Sequence, residues 1–210
     1  MLDVDWEADR PPEGSIDATW AAASFEPVAI TSAAIDDYVE AMAATRPRGD
    51  ARFCCLRAPE SPVIDWFGAR NCLADAGFFA QLLTAEPLGS ALDLEVPDDA
   101  DPRFTVESAL NLEGILAEQL VYGGSVNYAD TIPQQHGAGA EAKRLAGAFA
   151  DLIVEDRYEE VSVHRTREQW CGFFGERHWN CTIVCVDRRY RWVWVLVATD
   201  RGLLEAVPEE

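Results

Sequence analysis

Residues 191–199 read Arg-Trp-Val-Trp-Val-Leu-Val-Ala-Thr, seven apolar positions in succession with none left for water on either face. A strand of that kind lies centrally in a sheet and is covered on both sides. Residues 180–187 repeat the pattern and join it across Arg188-Arg189-Tyr190, so the two predict a hairpin. Residues 158–165 alternate, with Val161 and Val163 opposite Ser162 and His164, which predicts a half-buried strand. Short apolar runs at 52–58, 63–67, 91–96 and 170–174 read as further strands, the second pairing with the first across a turn at 59–62.

Helical spacing takes over elsewhere. Thr31 or Ser32 caps a helix running to about residue 45, with Ile35, Tyr38, Val39 and Met42 inward and Pro47 beyond its end. Asn71 is read as the cap of a helix over 72–84, and Thr105 as the cap of one reaching Tyr122, where Gly123-Gly124 stops it. A further stripe of Ala142, Leu145, Ala146, Phe149, Leu152 and Ile153 predicts a helix over 141–154. The expected fold class is α+β: a mainly antiparallel sheet with a central C-terminal hairpin and helices packed on the sheet. Residues 1–31 are read as an extended acidic arm, broken by Pro11-Pro12 and anchored by Trp6, Trp20 and Phe25, and residues 32–210 as a single domain. Between 124 and 139 runs a polar loop of 16 residues, longer than a passive connection needs.

Composition narrows the function classes. With 49% hydrophobic and 26% charged residues the chain is globular rather than disordered. It carries 17 basic and 37 acidic residues, a net charge of −20, which excludes binding to nucleic acid or an anionic membrane through the overall field. No apolar stretch approaches the roughly 18 residues of a spanning helix. The acidic start, Met-Leu-Asp-Val-Asp-Trp-Glu, lacks the basic and apolar regions of a secretory signal, so a cytoplasmic protein with reduced thiols is expected.

The negative charge is uneven. Residues 71–142 hold 12 acids and one base, Arg103, whereas residues 143–201 hold 9 acids and 10 bases. A one-signed segment speeds association with a basic partner. Asp93, Glu95, Asp98, Asp99 and Asp101 are the expected contact residues, with Asn127, Tyr128 and Asp130 of the polar loop as further binding candidates. The Asp98-Asp99-Ala-Asp101-Pro run lacks the glycine and distal glutamate of a calcium loop.

Candidate chemistry is sparse. Cys72, at the start of its expected helix, is the best nucleophile, because a helix N-terminus lowers a thiol pKa, with His164 or His136 as base. Asp75 opposes that thiolate. Cys171, His178, Cys181 and Cys185 superficially suggest zinc. Cys181 and Cys185, however, would lie about 13 Å apart along one strand, at about 3.3 Å per residue, so no metal is expected. Cys54 and Cys55 point to opposite faces, one of them into the core. Neither phosphate-binding glycine loops nor a nucleophile elbow occur, and no cofactor is expected. The leading expectation is therefore a non-catalytic acidic protein of the inhibitor, immunity or mimic kind that masks a basic partner surface. A cysteine-dependent hydrolase using Cys72 and a small-ligand binder at the 124–139 loop are the alternatives.

Overall fold

A computed structural model describes residues 5–126, 130–131, 137–175 and 177–201. Its frame is a six-stranded antiparallel sheet in the order β1-β2-β6-β5-β4-β3. The strands are β1 (Glu26–Pro27), β2 (Asp50–Arg57), β3 (Thr105–Glu107), β4 (Val161–Thr166), β5 (Cys181–Asp187) and β6 (Trp192–Thr199). The C-terminal hairpin occupies the middle: β6 pairs with β5 from Asp187↔Trp192 and with β2 from Asp50↔Thr199 to Arg57↔Trp192.

Strict alternation divides these strands between two cores. Trp194, Leu196 and Ala198 join Cys185, Ile183 and Cys181 on one face. Helices α2 (Ala33–Ala44), α6 (Leu112–Tyr122) and α7 (Ala138–Val154) cover that face. Val193, Val195, Val197, Val184 and Val186 face the other way. Against them pack α3 (Pro62–Ala69), α4 (Phe78–Leu83) and α5 (Glu86–Leu92). Because both faces are covered, Cys54 and Cys55 are both core residues, one in each layer, rather than one alone.

Several expected elements differ. Residues 63–67 form α3, not a strand: the Ser61 hydroxyl accepts from the Val63 N–H at 3.2 Å and Pro62 fills the first turn, where its missing N–H costs nothing. The helix expected over 72–84 breaks in two, a 3₁₀ turn at Leu73–Ala76 and then α4, because Gly77 adopts φ 67. Residues 91–96 are not a strand, since α5 runs to Leu92 and stops at Asp93 with φ 51. Thr105 lies in β3 rather than capping a helix, and Ser108 instead caps the 3₁₀ turn leading into α6. Residues 170–174 bend without joining the sheet. The arm is not wholly extended, since α1 (Glu13–Ala22) begins directly after Pro12. Trp20 does anchor it, donating to the Ala76 carbonyl at 2.6 Å and packing with Phe25 on Phe78, whereas Trp6 remains 67% exposed.

The two ends of the sheet are finished by buried carboxylates. At the hairpin end Asp187 takes Arg157 Nη1 at 2.6 Å and the N–H groups of Arg189 and Tyr190 at 2.9 and 3.3 Å, which fixes the turn. At the opposite end Asp200 accepts from the N–H groups of Arg48 and Arg201 and from Ser125. Beside it Arg46, 1% exposed, donates to Met42 O, Thr45 Oγ1 and Gln119 O. Gly123 and Gly124 permit this approach: a Cβ would stand 2.5 Å from Arg46 Nη2 in one case and 2.1 Å from Thr45 O in the other.

Candidate functional site

The acidic segment occupies the end of the sheet where β2 begins and β6 finishes. Beyond α5 the chain crosses residues 94–104 without regular structure, held by apolar anchors. Leu94, Val96 and Phe104 pack on the second core, Ala100 is buried within it, and Phe104 stacks on Phe79 with ring centroids 4.4 Å apart. The carboxylates between these anchors face solvent: Asp93, Glu95, Asp98, Asp99 and Asp101 are all exposed. Alternation of anchor and acid thus produces a fixed negative strip that is itself neither helix nor strand.

The strip divides by pairing. Asp93 has Arg52 as a neighbour, with Nη1 at 3.6 Å from Oδ2 and also bonded to the Leu92 and Asp93 carbonyls. Glu95, Asp98, Asp99 and Asp101 form no ion pair among the described residues. Several basic groups elsewhere are committed: Arg165 to Glu107 and Glu118, Lys143 to Glu113, Arg189 to Glu160, and Arg191 to Glu60 and Asp65. Four exposed carboxylates thus stand at this end of the sheet without an ion pair among the described residues. Two shallow clefts flank the strip. One, of about 440 Å³, takes Glu86, Asp93 and Glu95. The other, of about 520 Å³, takes Asp99, Asp101 and Glu168 over Trp170 and Phe174. Glu86 and Glu168 escaped the sequence reading. Glu86 is hidden in a helix the sequence did not signal, and Glu168, distant in sequence, is tied to the strip by the Arg103 N–H to Glu168 Oε2 bond at 3.1 Å.

Of the loop candidates, Asp130 is exposed, and Asn127, Tyr128 and His136 lie outside the described residues. The root of the loop is firmly placed, with Val126 N–H donating to Thr45 O at 3.2 Å.

Cys72 does not head an α-helix. It precedes a single 3₁₀ turn, and its Sγ donates to Phe67 O at 3.5 Å. Burial, and then Asp75, raise its pKa, the opposite of what an activated nucleophile needs. His164 is 1% exposed against Phe79, its Nε2 3.0 Å from Ser162 Oγ and its Nδ1 without a partner. Burial pushes its pKa down to about 4. No hydrogen bond joins Cys72 to His164: the Cys72 thiol is bound to Phe67 O and the His164 ring to Ser162 Oγ. Cys181 and Cys185 are both 1% exposed in the first core. Among the described residues no group of three His, Cys, Asp or Glu could hold a metal ion, and no helix is long and apolar enough to cross a membrane. Set against models of protein families, characterised proteins and solved structures, the chain has no significant match.

Proposed function

We propose that the protein is a non-catalytic binding protein whose acidic strip covers a basic surface on another protein, in the manner of an inhibitor, an immunity protein or a nucleic-acid mimic. The observation that carries this reading is the set of exposed carboxylates at Glu95, Asp98, Asp99 and Asp101, which have no ion partner among the described residues and stand on a backbone pinned by Leu94, Val96, Ala100 and Phe104. A pinned strip loses little conformational entropy on association. Unpaired carboxylates give a cationic partner new charge-assisted hydrogen bonds instead of competing ones. The net charge of −20 adds long-range attraction to a basic partner. A cytoplasmic setting belongs to the same reading, supported by six free cysteines.

The test is capture from the source cells at about 0.01 M ionic strength, where screening is weak. The native chain is compared with the triple substitution Asp98→Arg, Asp99→Arg and Asp101→Arg. A basic protein should be retained by the native chain and lost by the variant. Capture that does not distinguish the two would leave the strip as solubilising surface only.

A further inference from the structure

The hairpin end of the same face brings arginines and aspartates together. A cleft of about 440 Å³ opens there between α3, the 188–191 turn and the N-terminal segment. Ile64, Leu73, Phe78 and Val186 contribute apolar lining, and Arg70, Arg188 and Arg191 contribute guanidinium groups. Three carboxylates also line it, two of them ion-paired. Asp187 holds Arg157, Asp65 holds Arg191 at 3.3 Å, and Asp5 accepts from Glu7 N–H at 3.0 Å.

Arg70 and Arg188 differ from the ion-paired arginines of this chain. Arg70 donates only to carbonyls, those of Trp66, Asp5 and Trp6 at 3.3, 3.0 and 3.1 Å, and lies over the Trp66 ring with Cζ 4.1 Å from the centroid. Arg188 donates to the carbonyls of Glu160 at 3.3 Å and of Glu159. Burial lowers the Arg188 pKa, and the opposing fields of Glu160 and Asp187 offset this only in part. The Nε of Arg191 is buried with no partner. Carbonyl bonds, and ring stacking for Arg70, fix the planar forks of Arg70 and Arg188 in place with no carboxylate hydrogen-bonded to either among the described residues. The volume falls in the range of small-ligand sites, which combine an apolar lining with a few convergent polar groups.

We propose that this cleft binds a small organic anion, its carboxylate or phosphate head held by Arg70 and Arg188 and its flat apolar body lying on Ile64, Leu73, Phe78 and Val186. An adjoining cleft of about 690 Å³, which shares Arg189 and Arg191 and adds Arg57, gives room for a longer body. The site lies at the opposite end of the sheet from the acidic strip and stands independently of it.

The probe is 8-anilinonaphthalene-1-sulfonate, an aromatic anion whose fluorescence rises on binding, with neutral N-phenyl-1-naphthylamine as the control. The proposal expects saturable binding of the sulfonate at one site and little binding of the neutral analogue. Arg70→Gln and Arg188→Gln should each weaken it by about tenfold, the scale of one lost charge-assisted contact. Ala69→Trp, placed in the lining, should block it while every arginine is kept. Circular dichroism melting identifies any variant that fails to fold; Ala69→Trp and Arg70→Gln leave the Arg188 contacts in place. Displacement by 1-naphthoate or by 1-naphthyl phosphate distinguishes the two head groups. Equal binding of the neutral probe, indifference to Arg70→Gln and Ala69→Trp, or displacement by neither anion would overturn the assignment.

Discussion

Ser125 binds Asp200 twice: its hydroxyl donates to Oδ2 at 2.5 Å and its backbone N–H to the same oxygen at 3.1 Å. Asp200 is fully buried at the end of β6, so this pair ties the root of the 124–139 loop to the central strand. Hydrogen bonds to a charged group contribute about 1.5–3 kcal/mol. Ser125→Ala should cost that much in chemical denaturation and make the chain easier to cleave by protease just after residue 126. A loss below about 0.5 kcal/mol would mean that the N–H groups alone satisfy the carboxylate.

Trp194, 2% exposed, packs edge-on against Trp192 and beside Phe53 in the first core. Trp194→Ala should cost about 3–5 kcal/mol by emptying that site. Trp194→Phe should be much milder, because the indole Nε1 is buried without a partner and its removal relieves a desolvation cost. Chemical denaturation checks both. An alanine variant losing under about 1 kcal/mol would contradict the central placement of β6.

His164 sets a pH dependence of known sign. Its pKa lies at about 4 when folded against 6.5 for a free imidazole, so between these values the unfolded chain binds the extra proton. Stability from this group is complete above pH 6.5 and is lost as pH falls through that window, by about 3 kcal/mol for a shift of this size. Glu160, held down to about 2 by Arg189, loses its contribution at lower pH, below 4.5. His164→Gln should flatten the stability profile between pH 4 and 6.5. An unchanged slope in that interval would show that other groups carry it.

The six thiols should divide by accessibility. Cys72 and Cys171 are half-buried, while burial raises Cys54, Cys55 and Cys185 to about 12 and Cys181 to about 11. Iodoacetamide at neutral pH should label Cys72 and Cys171 slowly and the other four only on unfolding. Rapid labelling of Cys72 near pH 7 would contradict the raised pKa and restore a nucleophile.

The parts of the fold legible in the sequence are those where one physical signal acts without competition. The run at 192–198 has no polar residue, and the stripe from Ala142 to Ile153 has a single period, so β6 and α7 emerge as read. Misreadings occur where two structures share a pattern. Val63-Ile64 and Trp66-Phe67 suit a strand or one helical face equally, and the decisive cue was Ser61-Pro62, a cap followed by a first-turn proline. Leu94 and Val96 alternate with Asp93 and Glu95 as a strand would, yet the alternation comes from anchors on a core with no pairing partner. The acidic strip was visible because its carboxylates are close in sequence. The arginine cleft was not, because Arg70 and Arg188 meet only through the packing of α3 beside the hairpin turn.

The central claim, that the strip docks a basic protein, is tested most directly by association kinetics with the captured partner. Raising ionic strength from about 0.01 to 0.15 M shortens the Debye length from roughly 30 to 8 Å. The native on-rate should fall by about tenfold or more, within the range attributed to electrostatic steering, while the off-rate changes little. The triple Asp98, Asp99 and Asp101 to Arg variant should associate slowly at all salt concentrations with an unchanged melting temperature, since all three side chains are exposed. An on-rate indifferent both to salt and to these three substitutions would contradict the account.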